Sequence, residues 1–149
     1  MTDRYTAVIA WTGSAEDHRS GRYSRVHEWR FDGGTVVRGS SAPPVPGSDP
    51  AAVDPEEALV ASVSACHMLW FLAIARKHGL VVTAYEDDAD GQMAKNEAGK
   101  AWLAVVTLRP RVTFEGPADP AIVEQAHHEA HAECYIANSI RGEVRIEPR

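Results

Sequence analysis

From Ala58 to Ala75 the chain runs for 18 residues without a charged side chain, and only Ser62, Ser64 and His67 interrupt the apolar run. Such a segment has to be buried on most of its faces, so the rest of the fold must be arranged to cover it. Its ends read as helix ends. Asp54 can cap free backbone N–H groups, Pro55 suits the first helical position, and Glu56 and Glu57 favour the positive end of the dipole. Arg76, Lys77 and His78 suit the negative end, and Gly79 can take the left-handed conformation that closes a helix. A membrane span is the alternative for about 18 apolar residues. The many small Ala and Ser residues and the marked caps favour a soluble core helix over 54–79.

Before this helix, Tyr5 to Trp11 and Tyr23 to Phe31 alternate with the period of β-strands, separated by a turn or loop over Thr12 to Gly21. Asp32-Gly33-Gly34 is a hairpin turn into Thr35 to Arg38, which completes a three-stranded meander. Gly39 to Val53 contains four prolines and no periodicity, so it reads as an irregular surface connection. After the helix, Val81 to Met93 and Ala101 to Phe114 form a long hairpin, with Pro110 marking an edge position or a bulge. Asp119-Pro120 opens a second helix reaching to about Ile140. On it Val123, Ala126, Ala130, Cys134 and Ala137 share a stripe. Gly142 ends it and Glu143 to Glu147 is a last strand.

The resulting order, βββαββαβ, is that of an α+β domain with mainly antiparallel strands. At 149 residues it fits one domain, 1–149, able to bury a real core. One sheet and one partner helix are too little cover for the apolar helix, so a second subunit is expected to supply the remainder. A net charge of −6 without a Lys/Arg cluster argues against nucleic acid and acidic membrane as partners. A cytoplasmic location is expected. There two cysteines are more suited to catalysis, redox chemistry or metal binding than to a structural disulfide.

Taken singly, Cys66 and Cys134 are each best read as small buried hydrophobes. Both nevertheless face inward, from helices 68 residues apart in sequence, and packed helices can bring two such thiols within disulfide reach. A thiol with an ordinary pKa near 8.5 is only about 3% ionised at pH 7, and Cys66 lies about three turns from the positive end of its helix. A reactive thiolate there needs a cation from elsewhere. The candidates are Arg19, Arg22, Arg25, Arg30 and Arg38 of the meander, held by Glu56 or Glu57.

The segment DPEEALVASVSAC, followed much later by a cysteine in AHAECYIANSI, resembles the osmotically inducible protein C and organic hydroperoxide resistance (OsmC/Ohr) superfamily over nearly the whole chain. The resemblance implies an intertwined homodimer that reduces organic hydroperoxides with a thiol pair and needs no cofactor. It casts Cys66 as the peroxidatic cysteine, Cys134 as the resolving cysteine and Glu56 as the carboxylate that holds an arginine against the thiolate. The family's Arg-x-Gly just before the second strand matches Arg19-Ser20-Gly21, which makes Arg19 the first choice, with Arg22 and Arg38 as alternatives. The reductant implied is an external dithiol such as a lipoylated protein. Met68, Leu69, Trp70 and Phe71 beside Cys66 are suited to an apolar peroxide tail or to helix core. His67 departs from the Phe found there in better-known branches.

Two other readings belong to different classes. His127, His131 and Cys134 have metal-ligand spacing on one helical face, as for zinc. A non-enzymatic binder of small apolar molecules at the dimer interface is the other.

Overall fold

The computed structural model describes residues 3–149. Internal contacts group the chain into two compact units, one up to Ala58 and one from Leu59 to Arg149.

In the first unit, strands β1 (Ala7–Ala10), β2 (His27–Phe31) and β3 (Val36–Gly39) form the expected antiparallel meander. The Asp32-Gly33-Gly34 turn closes it, with Gly34 at φ +90° and the Phe31 N–H donating to Thr35 O. The strands are shorter than the alternation suggests. Tyr23 to Val26 lies outside β2 because the Arg25 N–H donates to Gly47 O, tying this stretch to the proline-rich connection instead of to β1. Residues read as a loop contain a helix, α1 (Ala15–Ser20). It has no apolar periodicity to betray it. Ser14 caps it by accepting from the Asp17 N–H, and Gly21 at φ +75° ends it.

Helix α2 (Pro55–Lys77) starts in this unit and continues into the second. Its start is a reciprocal capping box: the Glu57 N–H donates to Asp54 Oδ1 at 2.8 Å and the Asp54 N–H to Glu57 Oε2 at 3.1 Å. Its end is a Schellman closure, in which the Leu80 N–H reaches Ala75 O and Gly79 adopts φ +78°. By length and composition α2 is apolar enough to cross a membrane. Its buried residues, Val63, His67, Phe71, Ile74 and Ala75, form one stripe at spacings of three and four. Burial on most faces is therefore not met within one chain, and Leu69 stays 62% exposed.

In the second unit the expected long hairpin is broken in two. Strand β4 (Val82–Asp87) pairs with β7 (Pro110–Phe114), while β5 (Asp90–Lys95) pairs with β6 (Ala101–Leu108), in separate sheets. The break falls where Pro110 removes a ladder N–H. There the Asp87 carboxylate accepts from the Arg109 N–H and from Ser64 Oγ of α2, and the Arg109 guanidinium pairs with Asp90. A last strand, β8 (Glu143–Ile146), adds to β6 in parallel.

Helix α3 (Pro120–Glu133) starts at the Asp119 cap as expected but ends seven residues before Ile140. Cys134, at φ −65° and ψ 108°, is its C-cap, and a 3₁₀ turn (Ala137–Ser139) follows. The helix cannot continue once that ψ turns its backbone out of the helical ladder. Ala126, His127 and Ala130 are buried on the predicted stripe, whereas Ala137 has left it. Phe71, Ile74, Ala75, Leu80, Ala126 and Ala130 make the main core, packed against Tyr85, Val112 and Phe114.

Candidate active site

Both cysteines belong to the second unit and both are free. Cys66 is half-buried in the middle of α2, and Cys134 is 1% exposed at the end of α3. The Cys66 thiol lies near enough to Cys134 to act on its titration. Burial pushes the Cys134 thiol pKa up, the Ala137 N–H, 3.4 Å from its Sγ, partly offsets this, and the nearby Cys66 sulfur raises it further. Cys134 is thus held as a neutral thiol at pH 7, ready to follow rather than lead a nucleophilic step.

Beside them lies a feature that the sequence marked only as a departure from the family. His67 Nε2 and His127 Nδ1 are 3.0 Å apart and share one N–H, with the rings parallel and their centroids 5.4 Å apart. His127 also stacks on Phe71 at 4.1 Å. Burial, reinforced by His127 and His131, brings the His67 pKa down to about 3, and burial brings His127 down to about 4. Both rings are neutral at pH 7. His67 Nδ1, His127 Nε2 and His131 Nδ1 have no partner among the described residues, nor does the Tyr85 hydroxyl, whose pKa burial pushes up.

The structure does not bring the three residues of the zinc reading together. His127 is turned onto His67 and Phe71, Cys134 leaves the helical register that gave the three residues their spacing, and its sulfur neighbours Cys66. Among the described residues no three His, Cys, Asp or Glu side chains come together to hold a metal ion. Of the apolar residues after Cys66, Phe71 is fully buried core, Leu69 is exposed, and Trp70 packs edge-on against Tyr135.

Glu56 belongs to the first unit, where it is exposed and lines a cavity of about 460 Å³ together with Arg25, Trp11, His18 and Tyr23. Arg19 occupies the last turn of α1, is exposed, and is not among the residues lining that cavity. Arg38 is paired with Asp49. Within the first unit it is therefore Arg25, one of five arginines the sequence left open, that shares a site with Glu56.

Residues 47–149 match the family described as OsmC-like protein. The chain belongs to the OsmC-like family. An OsmC-like protein of unknown function from Vibrio cholerae is similar over 99% of this chain and 100% of its own, with 44% identity and a TM-score of 0.93. An organic hydroperoxide resistance protein of Bacillus subtilis shares the OsmC-like fold at 19% identity and a TM-score of 0.71, over 97% of this chain and 98% of its own. One from Legionella pneumophila does so at 18% identity and 0.70, over 99% and 97%. At those identities the likeness is one of fold. No curated protein matches the chain.

Proposed function

We propose that this OsmC-like protein, working as one domain over residues 1–149 in the cytoplasm, is a thiol peroxidase that reduces organic hydroperoxides to alcohols. The observation that carries the reading is the proximity of the Cys66 and Cys134 thiols, close enough for Cys66 to raise the Cys134 pKa. The half-buried Cys66, as thiolate, attacks the outer oxygen of the O–O bond; the bond breaks, the alkoxide takes a proton and leaves as the alcohol, and Cys66 becomes a sulfenic acid. Cys134 then attacks the Cys66 sulfur, the S–S bond forms and water leaves. The two thiols have supplied the two electrons, and an external dithiol, such as a lipoylated protein, restores them by exchange.

The roles of Glu56 and an arginine in holding the thiolate come from the family resemblance. Arg19 carries the Arg-x-Gly match, and Arg25 has the shared cavity in its favour. A homodimer is part of the same reading, supported by the exposed apolar face of α2. The neighbours named for hydroperoxide resistance in other bacteria support the substrate class.

The test is consumption of cumene hydroperoxide with a dithiol reductant. Cys66→Ser should abolish turnover, and Cys134→Ser should allow one fast oxidation without efficient cycling. Equal rates in the two variants and the native protein would reject the enzyme.

A further inference from the structure

The sulfur of Cys134 stands where a capping oxygen usually does. Cys134 closes α3 with its N–H on His131 O, and its extended backbone then opens the turn over residues 135–139. Its C=O accepts from the Asn138 N–H at 3.0 Å and its Sγ from the Ala137 N–H at 3.4 Å. Serine or aspartate is the usual residue in that geometry, because a thiol sulfur is a weak acceptor. The turn is held without help from the sulfur. Asn138 Nδ2–H donates back to Ala132 O at 2.9 Å, Ser139 Oγ–H to Tyr135 O at 2.7 Å and the Ser139 N–H to Ile136 O at 3.0 Å. The Ala137 N–H is thus aimed where a neutral thiol gains little and a thiolate gains much, since hydrogen bonds to ionised acceptors are about twice as strong as neutral ones.

The two sulfurs also differ in access: Cys134 is 1% exposed, whereas Cys66 is half-buried. Thiol–disulfide exchange depends on which sulfur can be reached and on how well the other one leaves as a thiolate. We infer that, in a disulfide joining these cysteines, an incoming thiolate attacks the Cys66 sulfur and Cys134 leaves onto the Ala137 N–H, with Asn138 as the positioning residue that holds this turn. The inference rests on the proposed thiol pair and adds the direction of its reduction. The S–S bond breaks as a bond forms between Cys66 and the reductant. The electron pair goes to the Cys134 sulfur, which then takes up a proton. The second thiol of a dithiol next attacks the reductant's own sulfur, so Cys66 is released as thiolate and the dithiol departs as a disulfide. Burial raises the Cys134 pKa and by itself makes this sulfur a poor leaving group. The Ala137 N–H opposes that cost in the step where charge develops, because its bond strengthens only then.

The test uses the full-length protein, oxidised with diamide so that no peroxide chemistry enters. Mixed with 2-mercaptoethanol and quenched in acid, it should carry the adduct on the Cys66 peptide, about ten-fold in excess over the Cys134 peptide. Asn138 is exposed, so its replacement leaves the core in place. Asn138→Ala should slow reduction of the disulfide about five-fold, since the donor is no longer held on the leaving sulfur. Alkylation of Cys66 by iodoacetamide in the reduced variant should keep its native rate, which a general disturbance of the fold would not allow. An adduct on Cys134, comparable adducts on both cysteines, or a native reduction rate in Asn138→Ala would overturn the proposal. So would a loss of Cys66 alkylation as large as the loss of reduction. Failure of diamide to form the disulfide would sink the thiol pair and this inference together. Reduction through Cys66 in a protein that consumes no hydroperoxide would remove the peroxidase and leave the inference standing.

Discussion

The two units handle polar groups in opposite ways. In the second, the buried chemistry is neutral: His67 and His127 share one N–H with depressed pKa values, and Cys134 is a thiol with a raised one. In the first, Arg25 and Glu56 line an open cavity, beside a tryptophan that is 41% exposed. Burial disfavours the charged form of a group, so the buried Cys134 thiol and the two imidazoles are held as neutral species. An open cavity can keep ions for recognition. The comparison teaches that changes to the buried core and imidazoles of the second unit should register mainly as stability, and changes at the cavity of the first mainly as binding.

The largest effect expected is at Phe71, fully buried between Tyr85 and His127. Phe71→Ala should cost about 3–5 kcal/mol in urea unfolding. A loss under about 1 kcal/mol would mean that the core of the second unit is not where the contacts place it. Next comes the imidazole pair. Their folded pKa values, about 3 and about 4, lie below the ordinary 6.5, so the unfolded chain takes up protons first. Stability should therefore be complete above about pH 7 and fall as the pH drops through 6.5 toward 4. By linkage each ring contributes about 2 kcal/mol of loss by pH 5. His67→Phe should remove His67's share and flatten the curve; an unchanged slope would show that His67 is not the group titrating.

Smaller again is the start of α2. Asp54→Ala removes the side-chain half of the capping box and should cost about 1 kcal/mol, read as a lower melting temperature. Smallest is Glu28→Ala in the first unit, which breaks an ion pair with Arg30 whose partners are each about half exposed, and it should change stability by less than about 0.5 kcal/mol. A large loss there would break the contrast between the units.

The parts of this fold legible in sequence were those with a strong local signal. Asp54, Pro55 and Gly79 bounded α2 to within a residue or so, and the Gly33-Gly34 turn located the first hairpin. What escaped had no periodic signature. α1 has no apolar stripe and is marked only by its Ser14 and Gly21 caps, and the break in the second hairpin depends on a side chain, Asp87, that links Ser64 to Arg109 across the chain. α3 ends short of its sequence pattern because Ala137 continues the spacing of the stripe, while spacing carries no information about the ψ of Cys134. The same holds for the candidate site. Inward-facing cysteines can be read from helix periodicity, but the His67–His127 contact spans 60 residues and the Trp11 ring rests on a glycine two positions away. Arg19 was favoured by a motif, and the residue that shares the cavity with Glu56 is Arg25.

The central claim is that Cys66 and Cys134 are one redox pair, and mass spectrometry after a single equivalent of an organic hydroperoxide tests it most directly. The account predicts a protein two hydrogens lighter, with the Cys66 and Cys134 peptides joined and released together on reduction. A Cys66 carrying added oxygen beside a free Cys134, or no change in either peptide, would contradict it.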